Sequence, residues 1–364
     1  MKILHLVQKP QLRGAEMFAS QLATHLNATG HVAVLVFVFP GEAALPFTGT
    51  IYNLNGNSSS RFTDKPAWKQ LAAIIEREKP DVVQANAGDT LKYAVSSKLL
   101  FRWKQPIVFR NASTISLYIK SLASKLFNGF FFRHTSLVIS VSKTSASDFR
   151  RVFPAFKPPV ITIPIGIEEP VLTNTTGPIR DGSQPIRIIH VGGFSFEKNH
   201  RGLISILSKI NALGHAATLE LVGNGILKNE IAQLVEESGL QEKVIFHGFR
   251  SDAMQLIKDA DVLVLPSIIE GLPGVILEAF YCRTPVVAYN VGGISEILSN
   301  GDTGYLITKG DEAGFARAVI NTVVNPNPGM IANAFELVKK EYLNTAITAR
   351  FIKAYQDLIS TKIN

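Results

Sequence analysis

The sequence predicts an α/β protein made of two open, parallel-sheet domains in tandem. Strand-length apolar runs alternate with helix-length amphipathic ones through both halves, and one stretch rich in Pro, Gly, Thr and Asn interrupts that alternation near the middle. A chain of 364 residues is also long for a single core.

In the first half a strand at 2–7 is followed by a helix at 15–26 and a strand at 32–39, with further strands near Val82, Ile107 and Val138 and helices between them. The stretch 169–185 lacks periodicity and is the expected domain boundary. A second series then begins: strand 186–191, helix 201–213, strand 218–222, helix 228–237 and strand 244–246. It continues with a short helix at 253–258, strand 262–265, a helix after Pro273, strand 285–289 and a helix at 293–298. The run 330–359 carries helical apolar spacing. Sheets of this kind bind ligands outside the carboxyl ends of their strands, so tandem domains are expected to face a shared cleft.

Composition narrows the class. With 46% hydrophobic and 18% charged residues the chain has material for buried cores and is not of the disordered type. No apolar run reaches the roughly 18 residues that span a bilayer. The start, MKILHLVQ, forms a short strand pattern without the apolar core and cleavage site of a signal peptide, and the expectation is a cytoplasmic chain. The one cysteine, Cys282, falls in an apolar helix-like run and reads as a small buried hydrophobe. Eight scattered histidines without a His-Glu-x-x-His pattern give no metal site, and no metal or cofactor is expected.

Net charge is +8, and it is concentrated. Between Arg102 and Lys157 ten Lys/Arg face one acid, Asp148, so this stretch holds +9 and the remainder about −1. A solvated basic face explains part of it. Ile115, Tyr118, Ile119, Leu122 and Leu126 share one helical face, however, and Phe130, Phe131 and Phe132 follow among cations. Apolar anchors flanked by positive charge suit an anionic membrane surface, expected here to be the inner face of the plasma membrane. No nucleic-acid-binding signature accompanies the charge, and nucleic acid is not expected as a partner.

The chemistry centres on Glu270-Gly-Leu-Pro-Gly-Val-Ile-Leu-Glu278, between a strand pattern and a helix pattern. Two carboxylates with seven residues between them straddle a turn that opens a helix, one acid before the helix and one inside it. Free helix-opening N–H groups and the positive end of the helix dipole attract phosphate, while carboxylates accept hydrogen bonds from sugar hydroxyls. The pattern therefore suits a phosphorylated, hydroxyl-rich ligand. After the strand at 186–191 comes Gly192-Gly193-Phe194-Ser195-Phe196-Glu197-Lys198-Asn199, where glycines permit close backbone approach and Lys198 can place a point charge on a diphosphate. It matches neither the Walker loop nor Gly-x-Gly-x-x-Gly, and a plain strand-to-helix turn explains it equally well in isolation. The same holds for Gly223-Asn224-Gly225. In the first half, Gly14 within Arg13-Gly14-Ala15-Glu16 opens the first helix, where either backbone approach to a ligand or tight packing accounts for it.

In this order the elements resemble the retaining nucleotide-sugar glycosyltransferases of GT-B fold, the group 1 or family 4 type with a Glu-x7-Glu motif. The resemblance runs through Arg13 to Glu16, Val138 to Lys143, the Gly-Ile-Glu run ending at Glu168, Lys198-Asn199, Gly223 to Gly225, His247-Gly-Phe249, Pro266-Ser267, Glu270 to Glu278, Pro285 to Val287 and Gly292-Gly293. It implies two Rossmann-like domains: an acceptor-side domain at 1–170, a linker at 171–185, a donor-binding domain at 186–340, and a C-terminal helix at 341–364 packing back on the first domain. It implies that Glu278 accepts the ribose hydroxyls, that Glu270 contacts the transferred sugar, and that the backbone of Gly271, Leu272, Pro273 and Gly274 holds the diphosphate. Lys198, with Gly193 and Asn199 in its loop, would neutralise the leaving group; Gly223, Phe249 and Arg250 would border the base, and Gly14 would approach from the first domain. The implied reaction is a metal-independent, retaining transfer of hexosyl type from a nucleotide-diphosphate sugar to a glycan or lipid-linked acceptor, in cell-surface polysaccharide, lipopolysaccharide or glycolipid synthesis.

Several positions depart from the pattern. Gly193 stands where relatives usually carry an arginine, which leaves Arg250 and Arg201 as sources of a second cation. Arg13 replaces a glycine, and Arg110-Asn111, Gln84 and Asn86 occupy positions that often hold histidines. These changes concern the acceptor side, for which Arg13, Arg110 and Asn111 are the residues in question. A nucleotide-sugar 2-epimerase on a similar scaffold, which would need histidine in the cleft, and a non-catalytic nucleotide-sugar sensor are the alternatives.

Overall fold

A computed structural model of the chain describes residues 1–12, 14–169 and 184–361. It divides into two compact units, Met1–Glu168 with Leu343–Asn364, and Glu169–Tyr342. The stretch 171–185 expected as a linker falls outside the described residues except for Gln184 and Pro185, as does Arg13.

The first unit holds strands β1 (Lys2–Val7), β2 (Val32–Phe37), β3 (Thr50–Asn53), β4 (Val82–Ala85), β5 (Ile107–Asn111), β6 (Leu137–Ser140) and β7 (Val160–Thr162). Its helices are α1 (Gly14–Ala28), α2 (Lys65–Glu78), α3 (Gly88–Phe101), α4 (Leu122–Phe132) and α5 (Lys143–Val152). The strands pair in parallel in the order β3-β2-β1-β4-β5-β6-β7. β1 shows why the sheet must be covered twice. Ile3 and Val7 face α1, while Leu4 and Leu6 face a second core built with Trp68 and Leu71 of α2 and Leu91 of α3.

The second unit holds β8 (Ile186–Val191), β9 (Ala217–Val222), β10 (Val244–Gly248), β11 (Val262–Leu265), β12 (Val286–Tyr289) and β13 (Tyr305–Ile307). These also pair in parallel, in the order β10-β9-β8-β11-β12-β13. Its helices are α6 (His200–Ala212), α7 (Lys228–Glu237), α8 (Ala253–Asp259), α9 (Gly274–Tyr281), α10 (Glu312–Val324) and α11 (Pro328–Glu341). The apolar sides of α6, α7 and α10 share one core with the sheet, and α11 packs on α9. Both units are Rossmann-like, in agreement with the expected fold class.

Three differences from the sequence reading have physical causes. The run 330–359 is two helices, because the chain breaks at Tyr342 and Leu343: α11 stays with the second unit, and α12 (Asn344–Ser360) belongs to the first. The helix expected at 293–298 is a single 3₁₀ turn at Ile294–Glu296, since Ile294, Ile297 and Leu298 are all buried in a short space before the bend at Ser299. Strands β3, β7 and β13 were not expected because they are sheet edges of only four, three and three residues, and helix α10 was not expected either.

Helix α12 closes the face of the first sheet that α1 leaves partly open. Phe351 is fully buried, its ring 5.7 Å from that of Phe18, and the Tyr355 hydroxyl donates to Gln84 Oε1 at 2.6 Å. Asn344, at the start of α12, donates its backbone N–H to the Ile167 carbonyl and its amide to Glu168, which tethers the returning chain. Phe351→Ala should destabilise this unit by about 3–5 kcal/mol, whereas Lys353→Ala on the exposed side should stay within about 0.5 kcal/mol. Both tryptophans, Trp68 and Trp103, lie in this unit, so urea unfolding followed by their emission measures the difference.

Candidate active site

In the second sheet the connections turn one way from β8, through β9 to β10, and the other way from β11, through β12 to β13. The point between β8 and β11 is where ligands enter sheets of this topology, because the loops leaving the two strands diverge and open a crevice. The residues singled out in the sequence converge there.

Lys198, in the loop after β8, donates to Glu270 Oε1 at 2.6 Å across 72 residues of sequence, and both side chains are largely shielded from solvent. Two further bonds fasten the same loops. The Ile268 N–H donates to the Glu197 carbonyl at 2.8 Å, and the Asn199 amide donates to the Pro266 carbonyl at 3.0 Å. Asn199 also caps α6, accepting from the Gly202 N–H, and it adopts the left-handed conformation to do so. The residue thus orients a helix and ties its own loop to the one that follows β11.

Glycine is required where backbones meet. Gly292 has φ +58°, and a Cβ there would collide with the Glu270 carbonyl; the next residue, Gly293, donates its N–H to the Gly271 carbonyl at 2.8 Å. Gly223 has φ +141°, and a Cβ there would collide with the Gly192 carbonyl. Its N–H donates to Gly248, which joins the ends of β8, β9 and β10 in one rim. Gly193 has more room, with only the Asn224 carbonyl 3.3 Å from a built Cβ. Phe249 is exposed at the end of β10.

Helix α9 starts immediately after Pro273, and no side chain caps it. Its first N–H groups therefore remain available to an anion, beside the Glu270 to Pro273 turn. Glu278 stands one turn further in. Among the described residues no hydrogen bond reaches its carboxyl, and burial pushes it up to about 7. A carboxylate so short of partners is suited to accept hydrogen bonds from ligand hydroxyls. Cys282, one turn on, is buried and donates to the Met254 carbonyl; burial, then the nearby Glu278, pushes the thiol up to about 12.

Beneath the Lys198 loop lie two histidines that the sequence reading did not weigh. His190 bonds the Val264 carbonyl through Nδ1, and His200 stacks on Phe194 at 4.1 Å. Burial holds both below the usual imidazole range, His200 at about 4, so they sit under Lys198 as neutral packing groups. Lys309, after β13, also went unforeseen: its Nζ donates to the Ile268 carbonyl at 3.3 Å and brings a cation to the Glu270 loop. Sequence proximity gives no sign of it.

The other expected cations are engaged elsewhere. Arg250 is exposed and forms a two-pronged pair with Asp252 at 2.7 and 2.6 Å, and Arg201 pairs with Glu230 at 2.8 Å. In the first unit Gly14 opens α1 in open space. Arg110 and Asn111 are core residues rather than surface ones. The Arg110 guanidinium lies 3.9 Å over the Phe18 ring, lowered to about 10 by burial, and Asn111 donates to Ser140 and to the Ser145 carbonyl. Gln84 and Asn86 bond each other under the same helices. Among the described residues no three of His, Cys, Asp and Glu converge as a metal site would require.

Two family descriptions match the chain, "Glycosyltransferase Family 4" over residues 12–169 and "Glycosyl transferases group 1" over residues 178–334. Each description matches less than half of the chain, one in each unit, so both units resemble glycosyltransferases of these two types. Among curated relatives, the N-acetyl-alpha-D-glucosaminyl L-malate synthase of Bacillus anthracis is 30% identical over 174 residues, which are 47% of this chain and 45% of that protein. The 2-deoxystreptamine N-acetyl-D-glucosaminyltransferase of Streptomyces fradiae is 34% identical over 139 residues, 37% of this chain and 33% of that one. The matched stretch thus spans less than half the length of these curated relatives. Solved structures match throughout. HepE of Anabaena, in complex with UDP and glucose, is 22% identical with a TM-score of 0.83, covering 98% of this chain and all of that one. The sucrose-phosphate synthase of Thermosynechococcus elongatus is 18% identical with a TM-score of 0.83, covering 99% of each chain. The fold is accordingly GT-B.

The raised Glu278 has a consequence for stability. Its folded value of about 7 exceeds the ordinary 4.5, so between those values the folded state binds the proton more tightly and loses stability as pH rises. Glu278→Gln should therefore melt several degrees above the parent protein at pH 8 and close to it at pH 4.5, as thermal denaturation at the two pH values would show.

Proposed function

We propose that this protein transfers a sugar, with retention of anomeric configuration, from a nucleoside-diphosphate sugar to a hydroxyl of a glycan or lipid-linked acceptor. The observation that carries the reading is the Lys198 and Glu270 pair at the switch point, beside the uncapped start of α9 and the glycine rim. A site with an ammonium, free helix N–H groups and two carboxylates matches a ligand whose one end is anionic and whose other end is rich in hydroxyls. HepE, of the same fold, has been solved with UDP and with UDP-glucose, which supports a donor of this class.

Without donor, the Lys198 ammonium is neutralised by Glu270. An arriving diphosphate competes for that ammonium, and Glu270 is then released to accept from a hydroxyl of the sugar. Glu278 accepts from the ribose hydroxyls, and the N–H groups of the Gly271 to Gly274 segment bind phosphate oxygens. As the bond between the anomeric carbon and the phosphate oxygen breaks, its electron pair leaves with the diphosphate, where Lys198 and the start of α9 stabilise the growing charge. The acceptor oxygen bonds to the same face of the anomeric carbon, and its proton passes to the departing phosphate oxygen. No protein nucleophile and no metal ion takes part in this scheme. The acceptor belongs to the synthesis of surface polysaccharide or glycolipid at the inner face of the plasma membrane, a placement supported by the basic, aromatic-rich 102–157 region.

A panel of nucleotide sugars, assayed by thermal shift and by product analysis, tests the reading. A true donor should stabilise the fold by about 2.7 kcal/mol at 100-fold its Kd. Glu270→Ala should lower turnover by about 10²–10³ while donor affinity changes little, and Lys198→Ala should weaken donor binding as well as turnover. NMR of the product should show the donor's anomeric configuration. An inverted product, an isomerised nucleotide sugar, binding without turnover, or full activity in Glu270→Ala would overturn the assignment.

A further inference from the structure

Helix α4 has the composition of a buried helix without the burial. Phe131 and Phe132 enter the core, where Phe132 packs against Phe109, Phe149 and Phe153 at 5.0 to 5.2 Å. Leu122 and Leu126, in contrast, are 73% and 68% exposed, and Phe127 and Phe130 are exposed too. A helix with apolar side chains on its outward side as well as its core side needs apolar cover beyond that of its own unit. The outward side is continuous with other apolar surface. Leu117 and Tyr118 are exposed in the preceding turn, Phe62 meets Phe127 edge-on at 5.5 Å, and α3, packed alongside, ends in exposed Leu99, Leu100 and Phe101. Patches of this extent mark an interaction site rather than scattered surface residues.

Its rim is cationic. Arg133 lies over Phe130 at 4.6 Å, while Lys92, over the rings of Phe62 and Phe127, and Arg61, over Phe62, share Asp89 as counter-charge at 3.3 Å. A shallow groove of about 450 Å³ is lined by the Leu122 to Arg133 side of α4, Lys125 and Arg133 among its residues, and by Phe153. Asp148, the one acid between Arg102 and Lys157, is buried and engaged by Ser116 and Arg151, so it is not the counter-charge of Lys125 or Arg133. Among the described residues no helix is long and apolar enough to cross a membrane. A second copy of the chain is a poor occupant, because two-fold pairing would set like charges against each other.

We infer that this face docks on a bilayer rich in anionic phospholipid. Helix α4 lies in the interface with Leu122, Leu126 and Phe130 among the acyl chains, while Lys125 and Arg133 reach the lipid phosphates. The inference deepens the reading of a lipid-linked acceptor by naming the surface that brings the enzyme to it. Its test is a binding measurement without turnover, so it stands or falls separately from the transfer chemistry.

Flotation of the full chain with phosphatidylcholine vesicles, with and without phosphatidylglycerol, provides the test. The protein should float with the anionic vesicles, detach as salt is raised, and stay behind with phosphatidylcholine alone. Leu122→Ser with Leu126→Ser, and separately Lys125→Glu with Arg133→Glu, should each weaken partitioning by at least about tenfold. Both variants alter exposed or half-exposed positions, and an unchanged melting temperature would confirm that each is folded. Leu126→Trp should shift its emission to the blue on anionic vesicles. No flotation of the folded parent, equal binding to neutral vesicles, or unchanged binding by both double variants would overturn the inference. So would a dimer in solution that Leu126→Ser dissolves.

Discussion

The site depends on backbone contact between strand-end loops. Where β8 and β11 lie side by side and their connections diverge, the Lys198 and Glu270 loops come close enough for an ammonium to meet a carboxylate at 2.6 Å. That approach holds because Gly292 lets the next turn press on the Glu270 carbonyl and Gly223 does the same against Gly192. Any side chain at either position would push the loops apart. Asn199 completes the arrangement by capping α6 and holding the Pro266 carbonyl. Pre-positioning of this kind matters because a site that works through electrostatics gains only from groups already in place.

Charge in the second unit is graded by solvent access. Lys198 and Glu270 neutralise each other at the mouth, burial pushes Glu278 up to about 7, and His190 and His200 beneath are kept below the usual imidazole range. An anionic ligand that takes Lys198 from Glu270 therefore finds no second buried cation from these histidines to compete with it. Arg250 and Arg201, occupied by Asp252 and Glu230, leave Lys309 as the basic side chain fastened to the Glu270 loop.

The first unit spends its polar residues differently. Arg110, Asn111, Gln84 and Asn86 lie at the ends of their strands, yet they are buried: Arg110 meets α1, Gln84 meets α12, Asn111 holds β6 and α5, and Asn86 holds β1. Lys125 and Arg133 lie instead along α4, whose aromatic rings join core to surface through one run of three phenylalanines. The helix that covers the opposite face of the sheet, α12, comes from the far end of the chain, so this unit is completed only when the last helix arrives.

Much of this was legible in the sequence, and the reason differs by element. Alternating strands and helices set the two parallel sheets, because strand and helix periods are local properties of consecutive residues. The separation of Glu270 and Glu278 was legible for the same reason, since one loop turn and one helical turn fix it. Edge strands β3 and β13 were too short to carry a period, and the break at Tyr342 and Leu343 was hidden by apolar spacing that continues across it. Sequence by itself thus determined the fold class, the paired acids and the basic, aromatic 102–157 region. Only the tertiary structure decided that Lys198 rests on Glu270, that Lys309 joins them, that Arg110 is core, and that Leu122 and Leu126 are left uncovered. Each of these depends on which distant segments the sheet order brings together, and that order is set by burial of whole faces rather than by any local pattern.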